Sequence, residues 1–555
     1  MAQSSAQAKQ LEAYGEIKSP LVDASPSLEG GVHEGGALRA ARGSVSVFSR
    51  ENFGMAVHMA GVGVVYSTIS GVIYSVLNNY LHMSATLVAT ATALVQFPRS
   101  LRMFTGMLTD TVPIFGYRRR PYMILGWSLA SVSCLLMAIL PLGDPYYGDA
   151  SLADIDPSEL TAEQLALIDT DAPQRGVKLI ILMMLANFGT VVAYSGFNGA
   201  LIDVSQREPA AIRGTAMGDG MVVFYVFSVF SSFFTGLGLN SAPYGGSFSW
   251  TISFNGVMGI CAAMALITVP FSWFCIQEDK VKSGPAKSVW VFLYELLQLR
   301  IIYQYVAFRF FYNVFALFSV TSSSAIQSTW AKVEPVNNGI ATMIAAFVTM
   351  IGTYLIKRYG LAWNWRHIII VAQFLVVSID VFPTMLTIWD VVRNQWLWLG
   401  VPLLEKLPFA ATDYVGALFM LEVENEGFEA TLFGLAVTSQ RVGTPFATVL
   451  TKTVDGYLDI ERTYIEKDDH HVRSQVMIAY VIAYAVNLFA VVFVFLLPRQ
   501  KDELHRLQRE GVKSKIWGTA SMCVLIFALA WSLMTNILSL FPTTKCLRIA
   551  GGSGC

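Results

Sequence analysis

Three consecutive arginines, Arg118, Arg119 and Arg120, follow a carboxylate, Asp110, by eight residues in the stretch G-M-L-T-D-T-V-P-I-F-G-Y-R-R-R-P-Y, Gly106 to Tyr122. Guanidinium groups stay charged at physiological pH and offer a fork of donors that matches a carboxylate. An acid and a triple base at this spacing suit a charge cluster that locks in one conformation and releases in another. They equally suit a plain topological stop, because arginine resists translocation. Gly106 permits close approach of a neighbouring helix. The stretch lies between two long apolar segments, and an arginine near the centre of a spanning helix costs roughly 2.5–3.5 kcal/mol, so its place is a membrane surface.

A second set of ionisable side chains lies within apolar stretches: His58, Arg99, Arg102, Asp203, Arg309, Asp380, Glu405, Lys406, Asp413 and Arg441. Each is costly unless paired or wetted, and each is therefore a functional candidate. Arg309 is about nine residues into its segment, roughly 13 Å deep at 1.5 Å per residue, and Arg441 is at a similar depth. Deep guanidinium groups around a cavity suit an anionic substrate; an interhelical pair of Arg441 with Asp413 is the structural alternative. The candidate substrate or proton site is Arg309, Asp413, Arg441, Arg102 and Asp203. Asp380 reads as interfacial and His58 as a buried or interfacial histidine.

No enzyme constellation accompanies these residues: there is no Walker loop, no His-x-x-x-His pair and no G-x-S-x-G elbow. The six cysteines are scattered without metal-ligand spacing, so no metal or cofactor is expected, and Cys546 and Cys555 read as two free thiols.

The elements that must position these groups follow from composition. Of 555 residues, 54% are hydrophobic and only 14% charged, and mean hydropathy is +0.52. A soluble domain carries roughly 25% charged residues, so the chain reads as an all-helical polytopic membrane protein whose partner is a lipid bilayer. A net charge of -1 argues against a nucleic-acid partner.

Spans are expected near 55–79, 84–107, 121–141, 177–201, 214–239 and 250–275. After a polar connector with Lys280, Lys282 and Lys287, six more follow near 301–328, 336–356, 367–389, 395–421, 431–451 and 475–497, and a last near 517–541. The expected domains are a disordered tail 1–53, a six-helix bundle 54–275, a linker 276–300, a second bundle 301–497, and a charged segment with an extra helix, 498–555. Basic loops place the amino terminus in the cytosol, with a plasma-membrane location expected. The loop with Asp154, Asp156 and Glu159 then lies outside. The inside loop with Glu422, Glu424, Glu426 and Glu429 is acidic, but acidic residues weigh little in orientation.

The Gly106–Tyr122 stretch resembles the signature of the folate–biopterin transporter family, a branch of the major facilitator superfamily. Gly106, Asp110, Pro113, Gly116, Tyr117, Arg118, Arg119, Arg120 and Pro121 carry the match. G-F-E-A-T-L-F-G-L, Gly427 to Leu435, resembles a second segment of that family, and Q-R-E-P with R-G, Gln206–Pro209 and Arg213–Gly214, a third. The resemblance implies two six-helix bundles, alternating access, and a gating loop of Gly106, Asp110, Arg118, Arg119 and Arg120. It implies transport of pteridines or related organic anions, with protons as the expected coupling ion. Around Pro98 the chain has P-R-S-L-R-M where relatives carry Pro-Trp-x-x-Lys-Pro, so the likeness supports transport more strongly than it supports folate. A carrier for an amino-acid or nucleoside derivative, and a non-transporting receptor, stand as alternatives.

Overall fold

The computed structural model describes residues 34–40, 43–83, 85–149, 151–152, 161–280, 288–423, 427–538, 544 and 547. The tail up to residue 33, Asp154, Asp156, Glu159, Lys282, Lys287, Glu424, Glu426, Cys546 and Cys555 lie outside the described residues.

Helices account for every long element, and no strand occurs among the described residues. Among the described residues, nine are long and apolar enough to cross a membrane: α1 (Phe53–Tyr80), α3 (Arg120–Ile139), α4 (Ala172–Gln206), α5 (Thr215–Gly236), α6 (Phe254–Phe274), α8 (Pro335–Tyr359), α9 (Trp365–Ile388), α12 (His470–Leu496) and α13 (Lys515–Leu538). The other four expected spans are short or broken. In α2, α2a (Ala85–Gln96) and α2b (Arg102–Thr111) flank a tight turn that holds Pro98. Proline removes a backbone donor and clashes with the preceding turn, which breaks the helix there. α7 (Arg300–Ala316) has 17 residues. α10 divides into α10a (Gln395–Gly400) and α10b (Lys406–Glu422) around Pro402, and α11 into α11a (Glu429–Arg441) and α11b (Gly443–Asp455) at Val442.

α1, α3, α4, α5 and α6 pack on one another, as do α7, α9, α10, α11 and α12; the two groups meet along α5–α8 and α2–α11. The face of the molecule that carries residues 34–40 and 43–52 is termed the tail face. α5 and α8 are in contact from end to end: Lys357 pairs with Asp219 near the tail face, and at the opposite end a Cβ on Gly236 would lie 3.4 Å from the Gly339 Cα. α2 and α11 meet through α2b and α11a, in the half nearest the tail face.

Two expectations need correction. The tail was expected to be disordered through residue 53, but residues 34–40 are fastened to the body. Leu38 and Arg39 amides donate to the Gln206 carbonyl at 3.0 and 3.2 Å, and the Ala210 amide donates to the Gly35 carbonyl at 3.0 Å. The polar linker also contains a helix, Ser288–Gln298, whose Trp290 and Phe292 lie against Phe104 and Phe428. Its flanking charges disguised an apolar core of a few turns.

α13 stands on that linker helix. The Ser514 amide donates to the Gln298 carbonyl at 2.9 Å, and Tyr294 and Thr519 hydroxyls lie 3.1 Å apart. Higher up, Phe527 and Trp531 pack on Phe446 of α11b, and α13 also touches α2a. It therefore runs along the α2–α11 side.

Candidate functional site

The Gly106–Tyr122 stretch lies where the two groups of helices close on each other at the tail face. Gly106 of α2b faces the α11a backbone so closely that a Cβ would sit 2.3 Å from the Ala430 carbonyl oxygen. Asp110, 3% exposed, accepts hydrogen bonds from the Thr431 amide at 2.7 Å and the Thr431 hydroxyl at 2.8 Å. A carboxylate on the first-turn amides of α11a meets the positive end of that helix dipole.

The arginines divide their roles. Backbone amides of Arg118, Arg119 and Arg120 all donate to Glu278, at 2.7, 2.9 and 3.0 Å, so this carboxylate caps the start of α3. The Arg119 side chain reaches Glu429 at 2.8 Å, on the other group of helices. Arg118 reaches the Gly427 carbonyl at 3.4 Å. Arg120 donates to the Ile276 carbonyl and stacks on Tyr117 and Trp273. Asp110 thus bonds to a helix end, and the carboxylate that answers the arginine run is Glu429.

Further ties cross the same face. Arg39 bridges Asp203 and Glu429. Arg213 clasps Glu422 in bidentate fashion at 2.9 and 2.8 Å, with both side chains almost inaccessible to solvent at 2% and 0%, and Lys501 Nζ lies 3.1 Å from the same carboxylate. The Arg213 guanidinium also donates to the Gly36 carbonyl at 2.8 Å. Asp203 sits here, paired with Arg39 and Arg207, and not among the deep arginines. The reason is length: α4 has 35 residues, roughly 50 Å at 1.5 Å per residue, and its last turns project past hydrocarbon roughly 30 Å thick.

The other candidates converge at mid-depth. Arg99 lies in the turn after Pro98, its guanidinium 4.2 Å above the Tyr66 ring. Arg102 donates to the Tyr66 hydroxyl at 3.1 Å and lies 4.4 Å over Tyr194. From the facing side Arg309 of α7 donates to the Gln440 side chain, in a space left open by Gly416. Arg441 ends α11a at the Val442 break, next to Gln440, and one turn earlier the Thr438 hydroxyl donates to the Ser100 carbonyl at 3.0 Å. The turn that holds Arg99 and Arg102 and the end of α11a that holds Gln440 and Arg441 therefore adjoin, and Asp413 precedes Gly416 by one helical turn. Buried nitrogens without a hydrogen-bond partner remain on Arg99 (Nε and Nη2), Arg102 (Nε) and Arg309 (Nε). Such atoms are costly unless a ligand or water meets them.

Arg102, Arg309, Asp413 and Arg441 are thus brought together, with Arg99 beside them, while Asp203 is not. Tyr66, Tyr194 and Gln440 were missed by sequence reasoning, because neutral side chains in apolar segments carry no signal. Glu429 stood inside the second family-like segment and could have been found there.

The remaining ionisable groups have local duties. The Trp127 indole N–H donates to His58 Nδ1 at 3.0 Å, which leaves the ring proton on Nε2 to donate to the Ser272 hydroxyl at 2.7 Å. A histidine so held is a neutral packing element. Asp380 accepts from the Tyr484 hydroxyl at 2.8 Å. In a loop on the face opposite the tail, Asp468 takes hydrogen bonds from Arg393 and Arg473, and these hold its carboxyl down to about 2. No group of three or more His, Cys, Asp or Glu suited to a metal ion occurs among the described residues.

Residues 63–151, which contain α2, the arginine stretch and α3, match the model of the BT1 family. The chain is similar to Folate transporter 1 of Plasmodium falciparum (isolate 3D7), 21% identical over 160 residues, which cover 27% of this chain and 31% of that one. It is also similar to Probable folate-biopterin transporter 2 of Arabidopsis thaliana, 44% identical over 48 residues, 9% of this chain and 10% of that one. The chain thus spans less than a third of the length of the curated relatives it matches. Among solved structures, a D-xylose–proton symporter superposes with a TM-score of 0.54 at 14% identity, covering 80% of this chain and 97% of that one. The human organic anion transporter MFSD10 (TETRAN) gives 0.51 at 10% identity, covering 80% and 99%. Likeness at such identity speaks for the fold. The chain resembles the folate–biopterin transporter family, as its arginine stretch implied, and is a multi-pass integral membrane protein with the major facilitator fold.

Proposed function

We propose that the protein is a secondary carrier that moves folate- or biopterin-like pteridines, or related organic anions, by alternating access. The observation that carries this reading is the mid-depth cluster of Arg99, Arg102, Arg309 and Arg441 with tyrosine faces beside it. Guanidinium forks fit carboxylates, and aromatic rings offer stacking faces to a planar heterocycle. The tail-face cluster of Gly106, Asp110 and Arg118–Arg120 with Glu429 acts as the gate, closed in this structure, with residues 54–275 and 301–497 as the two moving bodies. On this reading the tail face is cytosolic, and the plasma membrane is the expected location.

Uptake of labelled folate and labelled biopterin into transport-deficient cells tests the proposal. Uptake above empty vector is expected for at least one. Uptake no better than empty vector for both, with the protein confirmed at the cell surface, sinks the pteridine reading.

A further inference from the structure

The central cluster holds four guanidinium groups and one carboxylate, Asp413. The Thr438 hydroxyl on the Ser100 carbonyl ties the turn of Arg99 and Arg102 to the end of α11a that carries Arg441, Arg309 donates to the neighbouring Gln440, and Asp413 lies one turn before Gly416, over which Arg309 rests. None of the four arginines makes a salt bridge among the described residues, whereas Arg39, Arg119, Arg207, Arg213 and Lys357 at the tail face each meet a carboxylate. The surplus of positive charge is therefore a property of this cluster, not of the chain, whose formal net charge is -1.

A surplus of this kind is tolerable while the cluster is wet. Alternating access requires it to pass through a closed state, in which water leaves and each uncompensated charge loses its hydration. An anion with two or more negative charges removes most of that penalty, and an empty cavity has nothing to put in its place. The loaded carrier can cross and the empty carrier cannot. Accordingly, we propose that this protein is an obligate exchanger of multivalent organic anions: inward movement of one anion is tied to outward movement of another. The proposal rests on the anion-carrier reading above, and it puts a gradient of counter-anion in place of the proton gradient as the drive.

Purified protein in liposomes provides the test. Labelled folate uptake is compared between vesicles loaded with unlabelled folate and vesicles that hold only HEPES and potassium chloride. Exchange predicts at least tenfold faster uptake into the loaded vesicles, with no gain in the unloaded ones when an inward proton gradient is imposed. Equal uptake, or proton-driven uptake into unloaded vesicles at the exchange rate, overturns the proposal.

A second measurement needs no substrate. Ala430→Cys, introduced into a cysteine-free background, places a thiol behind the closed tail-face gate, where Ala430 is 2% exposed. In anion-free vesicles a membrane-impermeant maleimide should modify it slowly, because the empty carrier does not reach the state open to the tail face. The double substitution Arg309→Gln/Arg441→Gln should speed modification at least tenfold, and Arg309→Lys/Arg441→Lys should leave it slow. Modification unchanged by the glutamine pair overturns the exchange mechanism, whichever anion is carried. If the glutamine pair speeds modification while folate moves in neither vesicle set, the exchange mechanism stands and folate as substrate falls.

Discussion

The molecule contains two populations of arginine, and it treats them oppositely. At the tail face four guanidinium groups are paired with carboxylates, Arg119 and Arg39 on Glu429, Arg213 on Glu422 and Arg207 on Asp203, while Arg118 and Arg120 donate to backbone carbonyls. At mid-depth Arg99, Arg102 and Arg309 rest on tyrosine faces and an amide, with no salt bridge to a carboxylate among the described residues. A buried ion pair that is complete holds parts together, and one that lacks its partner waits for something to arrive. The first arrangement suits a latch and the second a binding site, although the residue type is the same.

The largest effect is expected where a complete pair is broken. Glu429→Gln leaves Arg119 and Arg39 facing a neutral side chain, and loss of one partner of a buried pair costs roughly 3–5 kcal/mol. The closed tail face should be lost, read as fast maleimide modification at Ala430→Cys. Slow modification would mean that Asp110 on the Thr431 amide and the remaining ion pairs of the face, Arg213–Glu422 and Lys357–Asp219, keep it closed without Glu429.

The comparison sharpens in the second population. Arg102→Gln should cut uptake of the carried anion about a hundredfold, since a hydrogen bond to a charged group contributes about 1.5–3 kcal/mol. Thermal stability should hold or rise, because an unpartnered buried charge has gone. A fall in stability equal to that of Glu429→Gln would erase the distinction between the two clusters.

The smallest effect belongs to the rim. The folded Asp468 carboxyl lies below the ordinary carboxylate range, at about 2. Its contribution is therefore complete above the unfolded value near 4 and is lost only as pH falls through about 2. Stability should not change through this group between pH 8 and 5, and Asp468→Asn should cost about 0.2–1 kcal/mol in thermal unfolding, as exposed pairs do. A steep loss between pH 6 and 5 would contradict the assignment.

The sequence disclosed what is local. Arg118–Arg120, Asp110 and Gly106 are neighbours in the chain, and their chemistry and placement at a surface could be read from one window. The break at Pro98, which sets Arg99 and Arg102 apart, was not read: the span was expected to run unbroken over 84–107. The rest depends on distance along the chain: Arg39 meets Asp203 and Glu429, which lie 164 and 390 residues away. No local pattern records such a meeting. Asp203 was misplaced because hydropathy reports where apolar residues continue, not where a 35-residue helix leaves the bilayer. Neutral Tyr66 and Tyr194 were invisible until α2 was folded against them.

The contact of α5 with α8 along their whole length gives the molecule a spine, with α2 and α11 at the fore-edge. Rotation of one half against the other about that spine produces displacement that grows with distance from it, so α2a and α11b travel furthest. α13 lies along this moving edge with its aromatic side chains on α11b. In the proposed alternating-access cycle α13 moves with this edge. On that reading, the thickness of the bilayer beside α13 bears on the rate of turnover.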